Sequence, residues 1–355
     1  MNMKILEMNL RENSYSIYIE RNILGRIVEY LSENYSSKKI AIITDSNLEK
    51  LYVENLKKVI EEKGFKIKVI SVKPGEESKS IDTLKEVYNE LSKFKLGRED
   101  LIITFGGGVV GDLGGFAAST YLRGVPYIQV PTSLLAQVDS SIGGKVAVDL
   151  PWGKNLVGSF YHPKAVFIDP ELLKTLNKRF LHDGLAEVIK YGCIRDESII
   201  NQLMNYTNDE EFLENIDSII FKCCSIKKSV VESDEKDFGE RMLLNFGHTL
   251  GHAVEKYFDY KKYTHGEAVA IGMAEITRKS EKLHITEKGA SKYIEEVLKK
   301  YELPYKTPSM NREDAFNTIL LDKKSSGENI SLILLKKIGE GFIKKVRFSE
   351  LEDYI

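Results

Sequence analysis

Along the first hundred positions, short apolar runs of strand length alternate with longer stretches whose apolar residues recur at helical spacing. Residues 4–20 hold two candidate strands, the second closing on the alternating Tyr15-Ser16-Ile17-Tyr18-Ile19. A helix over about 22–33 leads to the apolar run Lys39–Thr44. Asp45-Ser46-Asn47 follow, where a loop leaving a strand carries polar groups to a ligand and caps the next helix. A helix over 48–63 ends at Gly64. It is followed by a strand over 66–72, a turn at Pro74–Lys79, a helix over 80–94 and a strand over 100–105. This alternation predicts a largely parallel sheet with helices on both faces, and such sheets bind ligands at the carboxyl ends of their strands.

The clearest such end is Phe105-Gly106-Gly107-Gly108-Val109-Val110-Gly111-Asp112, between an apolar strand and a helix rich in Gly and Ala. Glycines admit a pyrophosphate close to the backbone, and the first helical turn offers N–H groups and a positive dipole end. Asp45 is placed to hold a ribose hydroxyl, or simply to cap its helix. After a strand at Tyr127–Val130 comes a polar, glycine-punctuated region, Pro131–Ser141 and Ile142–Lys145, then Pro151–Asn155. Its lysines, Lys145 and Lys154, stand on glycine-rich turns and are candidate anion contacts.

Beyond about residue 170 the pattern becomes long and helical, which predicts a division into domains near residue 165, as 1–165 and 166–355. Glu187 and Lys190 lie one helical turn apart in an otherwise apolar stretch. A carboxylate is costly there unless it binds a metal or pairs with the lysine. A helix over 215–231 carries Cys223, Cys224, Lys227 and Lys228. Next come the charged loop Ser233–Asp237, then Arg241 and Asn245 at i, i+4. Three of the six histidines follow within eighteen residues: His248, His252 and His265. If 246–257 is helical, His248 and His252 share one face, and His265 is a third donor for a transition metal. Spacing alone does not choose between His252 and His265 as the second histidine ligand. The tail adds two helical patterns, a turn at 322–327 and two strands, 330–335 and 341–346, that read as a hairpin.

Composition narrows the function. At 355 residues with 42% hydrophobic and 29% charged, the chain has the make-up of a globular protein of two domains. A net charge of −2 provides no basic field for nucleic acid or a membrane surface, so anion recognition must be local. Three cysteines without zinc-site spacing read as buried thiols in a cytoplasmic protein. No secretory signal and no transmembrane helix are expected.

Five segments carry a resemblance in this order: Gly106–Asp112, Gln137-Val-Asp-Ser-Ser-Ile-Gly-Gly-Lys145, Gly153-Lys-Asn155, Gly184-Leu-Ala-Glu-Val-Ile-Lys-Tyr-Gly192, and Asn245-Phe-Gly-His-Thr-Leu-Gly-His252 with His265-Gly-Glu267. From about residue 35 to its end the chain resembles the 3-dehydroquinate synthases of the sugar-phosphate cyclase superfamily. The resemblance implies an α/β fold: a Rossmann-like N-terminal domain for NAD and an all-α C-terminal domain for Zn2+, with Co2+ as a substitute. It assigns the metal to Glu187, His248 and His265, and moves His252 to the substrate's phosphate. NAD contacts carry over to Asp45, Asn47, Glu76, Lys79, Gly108, Val109, Val110, Gly111, Asp112, Thr132, Ser133, Lys145, Lys154, Leu172 and Thr175. Substrate contacts carry over to Asp139, Lys145, Asn155, Lys190, Lys227, Arg241, Asn245 and His252. Arg123 would reach across a homodimer, and one of Lys323 and Lys324 also matches. The family pattern has Glu four residues before the arginine, where this chain has Asp237, so a substrate hydroxyl would be met through water or by a shifted helix. Ser133 stands where Thr is frequent and keeps the hydroxyl.

The implied substrate is a sugar-phosphate acid, 3-deoxy-D-arabino-heptulosonate 7-phosphate, converted to 3-dehydroquinate. The steps are transient oxidation by NAD, loss of phosphate, re-reduction and intramolecular aldol closure. The leaving phosphate can itself serve as base, which agrees with the lack of an obvious dedicated carboxylate. Three alternatives stand beside this reading. A sibling cyclase would take a neutral sugar phosphate or make an amino analogue of the product. A metal-dependent polyol dehydrogenase would produce net NADH. A silent scaffold would keep the fold alone.

Overall fold

The computed structural model describes residues 3–35, 38–310 and 329–355; Lys323, Lys324 and the turn expected over 322–327 lie outside the described residues. The chain divides into two compact units, Met1–Leu176 with Ile216–Glu235, and Asn177–Asn215 with Lys236–Ile355.

In the first unit the strands are β1 (Lys4–Met8), β2 (Tyr15–Ile19), β3 (Lys39–Asp45), β4 (Lys66–Val72), β5 (Leu101–Gly106), β6 (Tyr127–Pro131), β7 (Lys145–Leu150), β8 (Gly153–Phe160) and β9 (Ala165–Ile168). Its helices are α1 (Leu24–Asn34), α2 (Ser46–Leu48), α3 (Glu54–Glu61), α4 (Ile81–Phe94) and α5 (Gly108–Thr120). Seven strands form one sheet in the order β1-β2-β9-β6-β5-β3-β4, parallel throughout except for the β1–β2 pair. The central strands are apolar end to end because both sheet faces are covered. On one face Ile27, Leu31, Leu56 and Ile60 of α1 and α3 pack on Ile40, Ile42, Ile103 and Phe167. On the other, Leu84, Val87 and Leu91 of α4 and Leu113 and Ala117 of α5 pack on Ile43, Ile102 and Tyr127.

The helix expected over 48–63 is present from Ser46 to Glu61, its α2 and α3 parts joined through a wider, π-helical turn at Glu49–Val53. The end of the glycine-punctuated region, Lys145 and Pro151–Asn155, falls in the antiparallel hairpin β7–β8, whose strands the pattern did not show, and the core strand β9 follows it. Gly158 signals the hairpin, since a Cβ there would lie 2.3 Å from the Val146 carbonyl oxygen across the pair.

The second unit is helical, with α6 (Lys178–Ile194), α7 (Glu197–Asn205), the start of α8 (Asp209–Ser233), α9 (His248–Tyr257), α10 (His265–Lys282) and α11 (Ala290–Lys300). The expected terminal hairpin is present as β10 (Asn329–Lys337) and β11 (Glu340–Arg347). From Ile216 onward α8 belongs to the first unit. Its Asp217 holds Arg21, its Glu232 accepts from the Asn9 backbone N–H at 2.6 Å, and its Cys224 thiol donates to the Gln137 carbonyl at 3.3 Å. All three cysteines are buried. Among the described residues, no helix is long and apolar enough to cross a membrane.

Candidate active site

In the first unit the connection from β3 runs to β4 on one side, while that from β5 runs to β6 on the other. The reversal opens a crevice at the carboxyl ends of these two adjacent strands. Asp45 ends β3, and its carboxylate accepts from the N–H groups of Asn47 at 2.8 Å and Leu48 at 3.2 Å, the capping bonds expected of it. Gly106 ends β5 and Gly107 caps α5. By helix geometry the N–H groups of Gly108, Val109 and Val110 have no acceptor within the helix. A Cβ at Gly107 would come within 3.2 Å of the Ser133 hydroxyl, and one at Gly108 within 3.1 Å of Ser140. The bare backbone therefore leaves a cradle that side chains would fill. The later glycines serve packing instead. A Cβ at Gly111 would meet Gln129 at 2.9 Å, and at Gly114 and Gly115 it would meet Thr104 and Val146 at 2.5 Å. Thr132 donates its N–H to the Gly106 carbonyl, Leu172 packs in the core with Phe105, and Thr175 meets the Tyr52 hydroxyl at 2.6 Å.

Several predicted residues gather around Lys79, which is 5% exposed and whose ammonium donates to the Asp112 carboxylate and the Asn155 amide oxygen. Burial by itself lowers the Lys79 pKa, but Asp112 and Glu76 more than offset it and raise it. Burial raises Asp112 even against the pull of Lys79. Lys154 lies 3.8 Å from Glu76. Asp149, which sequence reasoning missed, ties the group together. Its N–H donates to the Lys79 carbonyl and its carboxylate accepts from Asn155 N–H, both at 2.7 Å, with Asn155 in the left-handed region at φ 57°. Lys227, 5% exposed on α8, is held 3.0 Å from the Asp139 carboxylate and also donates to the Asp139 carbonyl. Lys145 is exposed at the start of β7, and Arg123 lies in a turn with φ 68°.

The second unit brings together, from three helices, three groups that could hold a metal ion. Glu187, 1% exposed on α6, faces the first residues of α9 and α10. Its Oε1 is 3.6 Å from Nε2 of His248 and 3.5 Å from Nε2 of His265. Ligands about 2.0–2.2 Å from a tetrahedral ion stand about 3.3–3.5 Å apart, so this donor set fits a divalent metal. The other carboxylate oxygen pairs with the Lys190 ammonium, which is as deeply buried. The ion-pair reading of Glu187 is thus met at one oxygen, while the other is left facing the two histidines. Each histidine is turned by its other nitrogen. His248 Nδ1 bonds the Phe246 carbonyl at 3.1 Å, and His265 Nδ1 lies 3.4 Å from the buried Glu255 carboxylate. Such bonds aim both Nε2 atoms at one point. Burial pushes His248 down to about 3; His265, which burial alone would also lower, is raised to about 10 by its bonds to Glu187 and Glu255.

His252 sits one turn beyond His248, is exposed, and forms a second donor group with Glu255 and His265. Arg241, 3% exposed, belongs to the short 3-10 turn Glu240–Asn245 that leads into α9. Gly247 makes the corner at φ 80°, where a Cβ would come within 2.7 Å of the Val269 carbonyl. Asp237 lies in the preceding loop at φ 64°. Glu255 was legible as a carboxylate three residues after His252, but its role depends on where α10 packs.

The model of the 3-dehydroquinate synthase N-terminal region matches residues 69–183, and that of the C-terminal region matches residues 184–325. A 3-dehydroquinate synthase of Clostridium kluyveri is 56% identical over 353 residues, covering 99% of this chain and 98% of that protein. Among solved structures, a 2-deoxy-scyllo-inosose synthase complexed with carbaglucose-6-phosphate, NAD+ and Co2+ superposes with a TM-score of 0.85 at 24% identity, covering 99% of this chain and 98% of that one. A 2-epi-5-epi-valiolone synthase from Streptomyces hygroscopicus with NAD+ and Zn2+ bound gives 0.87 at 24% identity, covering 97% and 96%.

Proposed function

The chain belongs to the 3-dehydroquinate synthase family, and from that premise we propose which of its groups carry the conversion of 3-deoxy-D-arabino-heptulosonate 7-phosphate to 3-dehydroquinate and phosphate. This is a lyase reaction of the shikimate pathway, which leads to chorismate and the aromatic amino acids. Glu187, His248 and His265 hold the divalent metal, Zn2+ or Co2+. The crevice at β3 and β5 holds NAD, with Asp45 at a ribose hydroxyl and the Gly108–Val110 N–H groups at the pyrophosphate. When bound, NAD accepts and returns a hydride, and the metal makes a coordinated substrate hydroxyl more acidic.

The protein's own groups bind and orient. Lys190 neutralises and holds Glu187, so that one oxygen stays directed between the two histidines. Lys145, Lys227, Arg241, Asn155 and His252 receive the substrate's carboxylate and phosphate, aided by Arg123 from a second copy in a homodimer. Asp139 holds Lys227 toward its task. A cytoplasmic setting is supported by three buried thiols.

The observation that carries this reading is the convergence of Glu187 Oε1 with two Nε2 atoms whose Nδ1 partners fix their aim. The test is phosphate release from 3-deoxy-D-arabino-heptulosonate 7-phosphate with catalytic NAD and Zn2+. Release that a chelator quenches, with no net NADH, is expected. Release from glucose 6-phosphate and none from the acid would instead move the protein to a sibling cyclase.

A further inference from the structure

Helix α6 carries Arg179, Asp183 and Glu187 at i, i+4 and i+8, which places all three on one face. Each meets the first turn of α10 in succession. Arg179 Nε and Nη2 donate to the two Glu267 carboxylate oxygens, both at 2.8 Å, and Nη2 also donates to the Lys262 carbonyl at 3.1 Å. Asp183 Oδ1 accepts from the Gly266 N–H at 2.6 Å. Glu187 Oε1 lies 3.5 Å from His265 Nε2. The contact at the middle rung is backbone against backbone, since a Cβ on Gly266 would stand 2.0 Å from the Asp183 carbonyl oxygen. Glu267 also reaches back to accept from the Thr264 N–H at 3.0 Å, so the Arg179 grip and the start of α10 share one carboxylate.

We propose that Arg179 and Asp183 are positioning residues for the metal centre: with Glu267 they lock the register of α10 on α6 and so set the distance between Glu187 and His265. The argument rests on the assignment of Glu187, His248 and His265 as ligands. Arg179 is half exposed, and an ion pair of that kind contributes little to overall stability. Its effect is geometric. The bidentate fork and the third bond to Lys262 fix a direction, and a shift of a few tenths of an ångström at the first turn of α10 moves His265 with it. Lysine cannot reproduce that fork. Asparagine at 183 keeps an oxygen for the Gly266 N–H, whereas alanine leaves that buried donor without its acceptor.

The experiment measures the Co2+ dissociation constant of the full chain by competition with a chromophoric chelator, alongside the visible spectrum of the Co2+ form and the thermal midpoint of the metal-free protein. Arg179→Gln is expected to weaken Co2+ binding about ten-fold and to alter the Co2+ bands, with the metal-free midpoint little changed. Arg179→Lys should fall between Gln and wild type. Asp183→Asn should bind near wild type, and Asp183→Ala should follow Arg179→Gln. Wild-type affinity and spectrum in Arg179→Gln would overturn the proposal, as would a loss of affinity that merely tracks a fall in the metal-free midpoint. His248→Ala keeps the two assignments separable. Metal retained there removes the ligand assignment itself, whereas metal lost there but unchanged in Arg179→Gln removes only the clamp.

Discussion

His248 and His252 share a helix face, and His248 has one ring nitrogen tied to the Phe246 carbonyl and the other aimed at Glu187. Removing a ligand should cost more than removing its support. His248→Ala is therefore expected to lower metal affinity by more than about 100-fold, and His252→Ala to leave it within a few-fold, as read by metal content after dialysis. Glu255→Ala takes away the acceptor for His265 Nδ1 and should weaken metal binding roughly 10- to 100-fold, the range typical of such supporting carboxylates. Equal retention of metal by all three variants would show that the metal is held elsewhere.

At the scale of elements, α9 and α10 approach closely because glycine lines their contact. A Cβ on Gly272 would stand 1.9 Å from the Gly247 carbonyl oxygen and 3.1 Å from the Gly251 N. Backbone cannot yield as a flexible side chain does, so Gly272→Ala should destabilise the fold by about 1–3 kcal/mol or more and weaken the metal site that the two helices carry. Gly25, in α1, has nothing within 4 Å of where its Cβ would be, and Gly25→Ala should stabilise by about 0.5–1 kcal/mol. Denaturant midpoints that move the same way for both would contradict the packing argument. At α11, the Glu281 carboxylate accepts from the N–H groups of Gly289 at 2.8 Å and Ser291 at 2.9 Å. Burial alone would raise its pKa, but the bonds to Ser291 and Gly289 hold it below the ordinary 4.5. A carboxylate lowered in the folded state adds stability above the unfolded pKa and loses it as pH falls through the folded one. Glu281→Ala should thus cost about 1 kcal/mol at pH 7, and the gap to wild type should close below about pH 4.5. A gap that stays constant down to pH 3 would exclude the charge as its source.

For the whole molecule, net charge is −2, so binding an acid phosphate depends on cations placed one by one. Arg241, almost fully buried, is one of the cations proposed for this. We expect Arg241→Ala to lower both kcat and substrate affinity, with kcat/KM down on the order of 100-fold, because a buried fork of donors would be lost. Steady-state phosphate release checks this, and an unchanged kcat/KM would remove Arg241 from the site.

Sequence by itself determined what depends on local pattern. The period of apolar residues placed β3, β4, β5 and the terminal hairpin, and the Gly-rich turn marked where a strand passes into α5. The order of five motifs identified the family, with Glu187 and three histidines as metal candidates. Pattern failed where the governing contact is remote. β9 is four residues long and is defined by its neighbours β2 and β6, and the β7–β8 hairpin is closed across a glycine whose crowding appears only on pairing. The proposed preference for His265 over His252, which the resemblance supplied and spacing did not, draws its support from tertiary packing. The first turns of α9 and α10 converge on one buried carboxylate of α6, and Glu255 and the Phe246 carbonyl turn the two rings toward it. Ligand geometry is a distance between helices, and only their packing sets that distance.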